Sequence, residues 1–389
     1  MKIALIHDYI KEYGGAEKVL EALHEIWPEA SVYTLVYLPE FLGPHKERFS
    51  HWDIRPSILN HIPFRAKLIS PFRLASPFIF RSFDLSSYDV IVVSQTGAYF
   101  PNLVRKTKDL PRSPRGEAGR QAGQKLITYT HTTPRYLYGY KTAREWKRNI
   151  LFRIMGEIAN HFLRVIDFQA SKNVDYFIAN SEEVKSRIKK FYRREAVVIY
   201  PPAIKSSKFI PIQSGQSSKL KKEEYYLAGG RLARAKGVDI IVEAFNRLHK
   251  PLKIFGKGFA GFEEELRKIA NDNIEFVGEV TEEEKFELMR NAKAYIFASF
   301  DEDFGITPVE AMSVGTPVIA YSSGGVKETI IDGKTGVLYD HNDTSSLKKA
   351  IQQFNNLTID YQDCIQQAQK FSEERFKTEI KKFVQNLQN

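Results

Sequence analysis

Two glutamates with seven residues between them, Glu302 and Glu310, carry the clearest chemical signal in the sequence. Glu302 follows an apolar run at 294–299, so we expect it at the carboxyl end of a buried strand. Thr307 and Pro308 are typical of the N-cap and the first residue of a helix, which would place Glu310 in its first turn. Two such carboxylates could accept hydrogen bonds from the hydroxyls of a sugar and of a ribose. Thr307 and Glu310 also fit a capping box, in which the glutamate only stabilises the helix, and the pattern alone does not choose between the two.

A glycine-rich basic segment, GGRLARAKG at 229–237, follows another apolar run and is expected to open a helix near Lys236. Arg231 and Lys236 would then lie beside backbone N–H groups at a helix N-terminus, where phosphates bind. Two cations there could offset the negative charge on a departing nucleoside diphosphate. A surface loop with solvated arginine and lysine side chains is the alternative.

Two positions in the first half of the chain also combine suitable residues with a predicted strand end. Gly14 and Gly15 follow the first apolar run, and glycine lets a backbone approach a ligand closely. His131 follows the run at 125–130 and could hydrogen-bond a reacting sugar. A histidine that only packs or caps is the alternative for this position.

A second glycine pair, Gly324-Gly325, precedes a helix that we predict near residue 327 and could likewise place an anion at a helix start. No segment has the GxxxxGK[ST] spacing of a phosphate-binding P-loop, so a P-loop NTPase is excluded. The first glycine pair lacks the full G-x-G-x-x-G fingerprint, so the glycines by themselves do not identify a nucleotide site.

Short apolar runs alternate with helical patterns along both halves of the chain, which is typical of parallel sheets covered on both faces. The runs fall at 2–7, 89–94, 125–130, 174–180, 196–200, 225–229, 252–256, 273–278, 294–299 and 317–322. A polar, Ser- and Lys-rich stretch at 203–222 separates the two halves, as a linker or long surface loop would. We therefore predict two α/β domains, at 1–205 and 206–370, with a cleft between them that receives ligands at the carboxyl ends of the strands.

The net charge of 57 − 47 = +10 is unevenly distributed. Residues 1–200 contain 31 Lys and Arg against 20 Asp and Glu, a net of +11, so the whole excess lies in the first half. Segment 58–81 mixes basic with large apolar residues and fits either a membrane-surface element or core packing, whereas 105–124 fits a mobile basic loop. Nucleic acid, anionic lipid or a phosphorylated acceptor would each be attracted to this charge, and a solvated surface is the alternative.

Other global features restrict the class of protein. No apolar run approaches the roughly 20 residues that a membrane-spanning helix needs, and the N-terminus does not have the pattern of a signal peptide. Cys364 is the single cysteine, so no internal disulfide can form and a reducing compartment fits.

In their order along the chain, these motifs resemble those of the retaining glycosyltransferases of family 4, which have the GT-B fold of two Rossmann-like domains. The resemblance runs over nearly the whole chain, and its most specific part is the basic pair followed by the two glutamates. The matching motifs are Gly14-Gly15-Ala16-Glu17, His131 before Pro134, Asn180-Ser181, Tyr200-Pro201-Pro202, Arg231 with Lys236-Gly237, Glu302 to Glu310, and Ser323-Gly324-Gly325. Residues 371–389 resemble the family's C-terminal helix, which crosses back to the first domain.

The resemblance implies a role for each candidate residue. Arg231 and Lys236 would contact the donor diphosphate, Glu302 the donor sugar, and Glu310 the ribose of the nucleoside. His131 would contact the donor sugar near its anomeric carbon. The loop at Gly14 and Gly15 would lie against the donor phosphates and the acceptor. The other residues that would line the donor site are Phe304, Gly305, Ile306, Gly324 and Gly325.

The resemblance also implies the reaction and its partners. The family generally needs no metal, and substitution on one face of the sugar, assisted by the leaving phosphate, retains its configuration. The stretch 128–140 looks most like mannosyltransferases of bacterial surface-polysaccharide assembly, so the expected donor is GDP-mannose, with a UDP-sugar as the alternative. The acceptor would be a glycan or lipid-linked, and the enzyme cytoplasmic, peripheral on an anionic inner membrane face, with no nucleic-acid partner.

The sequence departs from the family pattern in two places, and two other functions compete with this assignment. Asp303 stands where the family often has glycine, and the 105–124 loop is longer and more basic than the family pattern, which weakens any transfer of sugar specificity. A nucleotide-sugar hydrolase or 2-epimerase on the same fold would give free sugar or epimerised donor instead of a transfer product. A nucleic-acid-binding protein would account for the basic first half, but the sequence has no recognisable binding module.

Overall fold

The computed structural model describes residues 1–106, 123–140, 150–205 and 222–387. These residues form two compact units. The first unit contains the described parts of Met1–Gly139 and Ile150–Tyr200 together with the segment from Lys377 onward. The second unit contains the described parts of Pro201–Phe376.

Seven parallel strands form the sheet of the first unit. They are β1 (Ile3–His7), β2 (Ser31–Thr34), β3 (Ile54–Pro56), β4 (Val90–Gln95), β5 (Lys125–Thr130), β6 (Tyr176–Ala179) and β7 (Ala196–Val198), in the order β3-β2-β1-β4-β5-β6-β7. The strand order reverses between β1 and β4, where the pairing runs to His7 opposite Ser94. Ligands of such sheets bind beyond the carboxyl ends of the strands at this reversal.

Five helices accompany this sheet in the described residues. They are α1 (Gly15–Ile26), α2 (Phe72–Ser82), α3 (Ile150–Asn173), α4 (Glu182–Tyr192) and α12 (Glu373–Asn386), the last of which runs from the second unit into the first. Ser181 starts α4 as its N-cap, because its Oγ accepts a hydrogen bond from Val184 N. At the other end of the chain, Phe383 packs edge-on against Tyr176.

Six parallel strands form the sheet of the second unit. They are β8 (Tyr226–Gly229), β9 (Leu252–Phe255), β10 (Ile274–Gly278), β11 (Tyr295–Phe297), β12 (Val318–Tyr321) and β13 (Gly336–Tyr339), in the order β10-β9-β8-β11-β12-β13. The order reverses between β8 and β11. The helices are α5 (Val238–Leu248), α6 (Phe262–Ile269), α7 (Glu282–Asn291), α8 (Ile306–Ser313), α9 (Val326–Thr329), α10 (Thr344–Asn355) and α11 (Tyr361–Gln369).

The cores explain why the chain forms these sheets. Every residue of β1 and of β4 is buried, as expected for parallel strands covered by helices on both faces. In the second unit, Val242 and Phe245 of α5 pack on the buried side chains of β8 and β9. Burial of apolar area at roughly 25 cal/mol per Å² supplies the main stabilisation of both sheets.

The predicted fold class of two Rossmann-like parallel sheets is confirmed, and all ten apolar runs contain strands. Strands β2, β3 and β13 were not predicted. Most of two predicted loops, 105–124 and 203–222, lies outside the described residues. At their described ends, Lys106 is buried against Asp175 at 2.8 Å, and Ala203 N donates to Phe371 O, so neither end is a free loop.

Candidate functional site

Glu302 lies just beyond β11, beside the strand-order reversal of the second sheet. Its Oε2 atom accepts hydrogen bonds from Lys236 Nζ at 2.7 Å and from Ser299 Oγ at 2.6 Å. The side chains of Glu302 and Lys236 are 14% and 36% exposed, so the ion pair is sheltered yet within reach of a ligand. The structure thus brings together two of the residues that the sequence singles out.

The loop between β8 and α5 holds Lys236 against the end of β11. Phe300 N donates a 2.9 Å hydrogen bond to Ala235 O, which ties the two strand ends together. Gly237 has a φ of +63°, and a Cβ built on it would lie 2.3 Å from Ala298 O. Because only glycine tolerates both conditions, this position fixes the approach of the basic loop to Glu302.

The predicted glycine pair Gly324-Gly325 contacts the Glu302 backbone from the other side. Gly324 has a φ of +71°, and a Cβ there would lie 1.9 Å from Glu302 O. Gly325 N donates a 2.8 Å hydrogen bond to the same carbonyl oxygen. The backbone N–H of Asp301, which has a φ of +50°, donates a 3.1 Å hydrogen bond to Ser323 Oγ. The backbone of the β12–α9 loop therefore determines where Glu302 stands.

Glu310 is also in this unit, but its local structure differs from the prediction. Helix α8 begins at Ile306 with Gly305 as N-cap and has no side-chain cap, so the predicted N-cap at Thr307 and the capping-box alternative for Glu310 are wrong. The reason is the φ of +91° at Gly305, which lets the helix start earlier. Glu310 is instead buried and pairs with Lys285 Nζ at 2.9 Å.

A buried tyrosine at the start of β11 lies close to both glutamates. The Tyr295 hydroxyl donates a 2.8 Å hydrogen bond to Gly229 O, the last residue of β8. Burial raises the pKa of Tyr295 strongly, and the negative charges of Glu310 and then Glu302 add to the effect. The charges of both glutamates thus act on the same buried phenol.

The remaining predicted donor residues of the second unit lie around the same strand end with different exposure. Arg231 is exposed in the loop after β8, where its carbonyl oxygen accepts from Ala233 N at 3.0 Å. Phe304 is buried, and its ring packs edge-on against Phe371 with centroids 5.3 Å apart, so it supports the loop. Ile306 is half-buried as the first residue of α8.

In the first unit, half-buried His131 joins two fully buried polar groups at the strand-order reversal. Its Nε2 atom lies 2.8 Å from Ser94 Oγ, and the same Oγ lies 3.0 Å from His7 Nδ1. His7 Nε2 faces Glu17 Oε1 at 3.5 Å. The three strand ends β1, β4 and β5 thus supply His7, Ser94 and His131 in a row.

The Glu17 carboxylate faces His7 Nε2 at 3.5 Å without a hydrogen bond, and its negative charge favours a proton on that nitrogen. With His7 Nδ1 as an acceptor, Ser94 would donate to His7 and accept from the Nε2–H of His131. Burial, and next the nearby His7, lower the pKa of His131 to about 3, so the ring stays neutral with Nδ1 as an acceptor.

The first glycine pair is connected to the same row of polar groups. Helix α1 begins at Gly15, and the backbone N–H of Gly14 donates to Glu17 Oε2 at 2.9 Å. A phosphate approaching this loop would therefore compete with Glu17 for that N–H group.

Several residues around the candidate sites were not singled out from the sequence. His7 and Ser94 occupy the ends of β1 and β4, and polar residues at the ends of such apolar runs are a signal that could have found them. Asp8, also buried after β1, accepts hydrogen bonds from the backbone N–H and the hydroxyl of Thr96, while burial raises its pKa. Lys285 lies 25 residues from its partner in sequence and has no local signal.

Two further features of the described residues bear on cofactors and on membranes. Within 1–106, 123–140, 150–205 and 222–387, histidine, cysteine and carboxylate side chains form no group of three suited to holding a metal ion. None of the helices in these ranges combines the length and the apolar character needed to cross a membrane.

Comparison with known proteins gives the site its family context. Residues 210–371, which include most of the second unit, match the family model described as glycosyl transferases group 1. A glycosyltransferase of Methanocaldococcus jannaschii described as uncharacterized is 30% identical over 48% of this chain and 51% of its own length. The alpha-1,3/1,6-mannosyltransferase ALG2 of Dictyostelium discoideum is 27% identical over 66% of this chain and 64% of its own.

Solved structures support the fold. The Anabaena protein HepE in complex with UDP superposes with a TM-score of 0.69 at 18% identity, covering 99% of this chain and all of that one. At this identity the similarity shows a shared GT-B fold. The chain spans about half to two thirds of the length of the curated relatives it matches.

Proposed function

We propose that this protein is a retaining glycosyltransferase that moves a hexose from a nucleotide-sugar to an acceptor. The observation that carries the proposal is the Lys236–Glu302 pair at the reversal point of the second sheet, enclosed by loops that require glycine at Gly237 and Gly324. A backbone fitted this closely around one partly accessible ion pair is suited to holding a charged ligand. The family model that matches this part of the chain supports the same function.

The charges of the second unit suit a sugar diphosphate. A diphosphate is more negative than a single carboxylate, so it would draw Lys236 away from Glu302 and gain a second cation in Arg231. Glu302 would then accept hydrogen bonds from the sugar hydroxyls, while Ser299 keeps one of its oxygens in place. Fixed cations beside the phosphate stabilise the negative charge that grows as the diphosphate departs. Glu310, anchored by Lys285, would accept from the ribose hydroxyls.

In the first unit, His131 would act as a neutral hydrogen-bond acceptor. Its Nδ1 atom would accept from a donor-sugar hydroxyl near the anomeric carbon, and the Gly14–Gly15 loop would lie beside the donor phosphates and the acceptor. During transfer, the bond from the anomeric carbon to the diphosphate oxygen breaks as the acceptor oxygen attacks from the same face. The departing phosphate oxygen takes the proton of the acceptor hydroxyl, so the configuration is retained without a metal.

The donor and acceptor are the finer part of the proposal. GDP-mannose is favoured because a relative that matches 66% of the chain is named a mannosyltransferase. A UDP-sugar is the alternative, since the structurally similar HepE is described in complex with UDP. We expect a glycan or lipid-linked acceptor of surface-polysaccharide synthesis, and an enzyme that works at the inner face of the cell membrane.

The test combines ligand binding with turnover. The protein is first screened by thermal shift with UDP-, GDP- and ADP-sugars, because a ligand bound only by the native state raises the melting temperature. Glu302→Gln and Arg231→Ala are then assayed for sugar transfer from the donor that binds. We expect the rate of sugar transfer to fall in both variants, by at least about tenfold for each charged contact that is lost. Their melting temperatures should stay the same.

Lys334→Met provides the matched control. Lys334 forms a 3.1 Å ion pair with Asp363 in the same unit, with 57% of its side chain exposed. This variant should transfer sugar at the normal rate. Normal turnover in Glu302→Gln and Arg231→Ala would contradict the assigned roles, and free sugar or epimerised donor as the product would favour hydrolysis or epimerisation.

A further inference from the structure

Helix α3 presents its apolar side to solvent. Ile150, Ile154, Ile158, Phe162 and Val165 recur at intervals of three or four residues, so they lie on one side of the helix. Together with Met155 they are 51–74% exposed. We call these six residues the α3 apolar face. In a helix that packs on a sheet, the apolar side normally points toward the core.

The opposite side of α3 shows that the helix is firmly placed in this orientation. Asn160 Nδ2 donates to Tyr136 O at 3.2 Å, and Asp167 accepts a 2.7 Å hydrogen bond from Tyr138. Leu163 and Ala170 are buried beside them in an apolar cluster. Polar residues are therefore used to fix the inward side, while the large aliphatic and aromatic residues are left outside. An arrangement of this kind costs solubility and needs a partner to explain it.

A second exposed apolar strip lies on the neighbouring helix. Helix α2 exposes Leu74 and Phe78 one turn apart, with Arg81 exposed on the same side. Both helices contact Tyr136. Arg73 of α2 stacks over its ring at 4.0 Å, and Asn160 of α3 donates a hydrogen bond to its backbone carbonyl oxygen. The α3 apolar face thus has a neighbour that combines apolar side chains with a cation.

The charge around these helices selects the partner. Residues 58–81 contain four Lys and Arg and no Asp or Glu, and Phe64 and Ile58 are among the most exposed large apolar side chains described. An apolar strip beside an acid-free basic segment matches a lipid surface with anionic headgroups. A symmetric contact with a second copy would bring two such basic segments together, which like-charge repulsion disfavours.

We propose that the α3 apolar face, continued by Leu74 and Phe78, inserts into the leaflet of an anionic bilayer that faces the protein. The basic residues of 58–81 then contact the lipid headgroups. The α3 apolar face would then act together with the membrane-surface element expected at 58–81. The proposal does not depend on sugar transfer, because vesicle binding needs neither donor nor acceptor.

The experiment measures binding of the full chain to vesicles by flotation. Vesicles of phosphatidylcholine alone are compared with vesicles that also contain phosphatidylglycerol, at low and high salt. We expect the protein to bind the anionic vesicles and to be released by salt, since screening weakens the headgroup contacts. In the triple variant I154Q/I158Q/F162Q, the partition coefficient should fall about hundredfold, as expected when three half-exposed side chains no longer insert.

Two further variants keep the test decisive. I269Q/I331Q changes two exposed isoleucines of the second unit, 44% and 39% exposed, and should bind vesicles normally. R81E should weaken binding to anionic vesicles most strongly at low salt. Because all substituted side chains are exposed, melting temperatures should stay close to that of the unmodified protein.

Three results would overturn the proposal. The unmodified protein could fail to float with anionic vesicles, or the triple variant could bind as well as the control. Alternatively, light scattering could show a dimer that the triple variant converts to a monomer without any vesicle binding, which would assign the face to a second copy of the chain.

Discussion

Ser94→Ala tests the row of polar groups that ends in His131. Ser94 and His7 are fully buried, so removal of the hydroxyl leaves His7 Nδ1 and His131 Nε2 without the partner at 3.0 and 2.8 Å. Leaving one buried polar atom unsatisfied costs about 1–3 kcal/mol, so we expect about 2–4 kcal/mol of lost stability for the two atoms. Native-state hydrogen exchange of the β1, β4 and β5 amides measures this loss within the first unit.

The same variant should also change the histidine rings and turnover. With Ser94 in place, the ¹⁵N chemical shifts of His131 should report a proton on Nε2 and a bare Nδ1, and Ser94→Ala should abolish that preference. If His131 positions the sugar, kcat for transfer should fall about tenfold to hundredfold with little change in KM. Ser94→Thr, which keeps the hydroxyl, should restore the tautomer.

Ser171→Ala is the matched control, because Ser171 is equally buried in the first unit but only donates to a helix carbonyl, Phe168 O, at 2.7 Å. It should cost less than about 1 kcal/mol and leave His131 unchanged. Equal stability losses in the two alanine variants, or an unchanged His131 tautomer in Ser94→Ala, would refute the hydrogen-bond directions described above.

Three other predictions follow from distances and burial. The backbone φ is +71° at Gly324 and +72° at Gly333, but only at Gly324 would an added Cβ lie 1.9 Å from a backbone atom, Glu302 O. Thermal unfolding should therefore show a stability loss of about 1 kcal/mol for Gly333→Ala and of at least about 3 kcal/mol for Gly324→Ala. The pKa of His131 is lowered to about 3, so the unfolded chain binds the proton more strongly. Stability contributed by neutral His131 should therefore fall as pH drops from about 6.5 toward 3, and His131→Gln should flatten that fall in melting temperatures. Lys285→Met removes the cation from buried Glu310 and should lower the unfolding free energy by about 3 kcal/mol at pH 7, with equal stability arguing against this ion pair.

Apolar patterning was sufficient for most of the sheets but not for every element. The ten predicted runs are long enough to show burial on both faces. Strand β3 has only three residues and includes Pro56 at the edge of the sheet, so it leaves almost no pattern. The sequence of helix α3 has the helical spacing of apolar residues, but that spacing does not reveal that the apolar side faces solvent while Asn160 and Asp167 face inward.

The candidate site shows where local patterns stop being informative. Thr307-Pro308-x-Glu310 fits a capping box as well as any helix start, and the deciding feature is the left-handed backbone of Gly305. The ion pair of Glu310 depends on α7 packing beside α8, which no spacing within either helix encodes. By contrast, Thr281 and Glu284 do form a capping box, since nothing in the tertiary structure competes with it.

The two sheets place different chemistry at the same topological position. Parallel strands that reverse their order must bring the residues after the first and fourth strand together, so His7 with Ser94, and the Lys236 loop with Glu302, become neighbours by topology alone. Burying polar groups there is costly unless each finds a partner, and these groups meet that condition by bonding to one another. The second unit holds a cation–carboxylate pair that a phosphate could compete for, whereas the first holds a neutral imidazole suited to a hydroxyl.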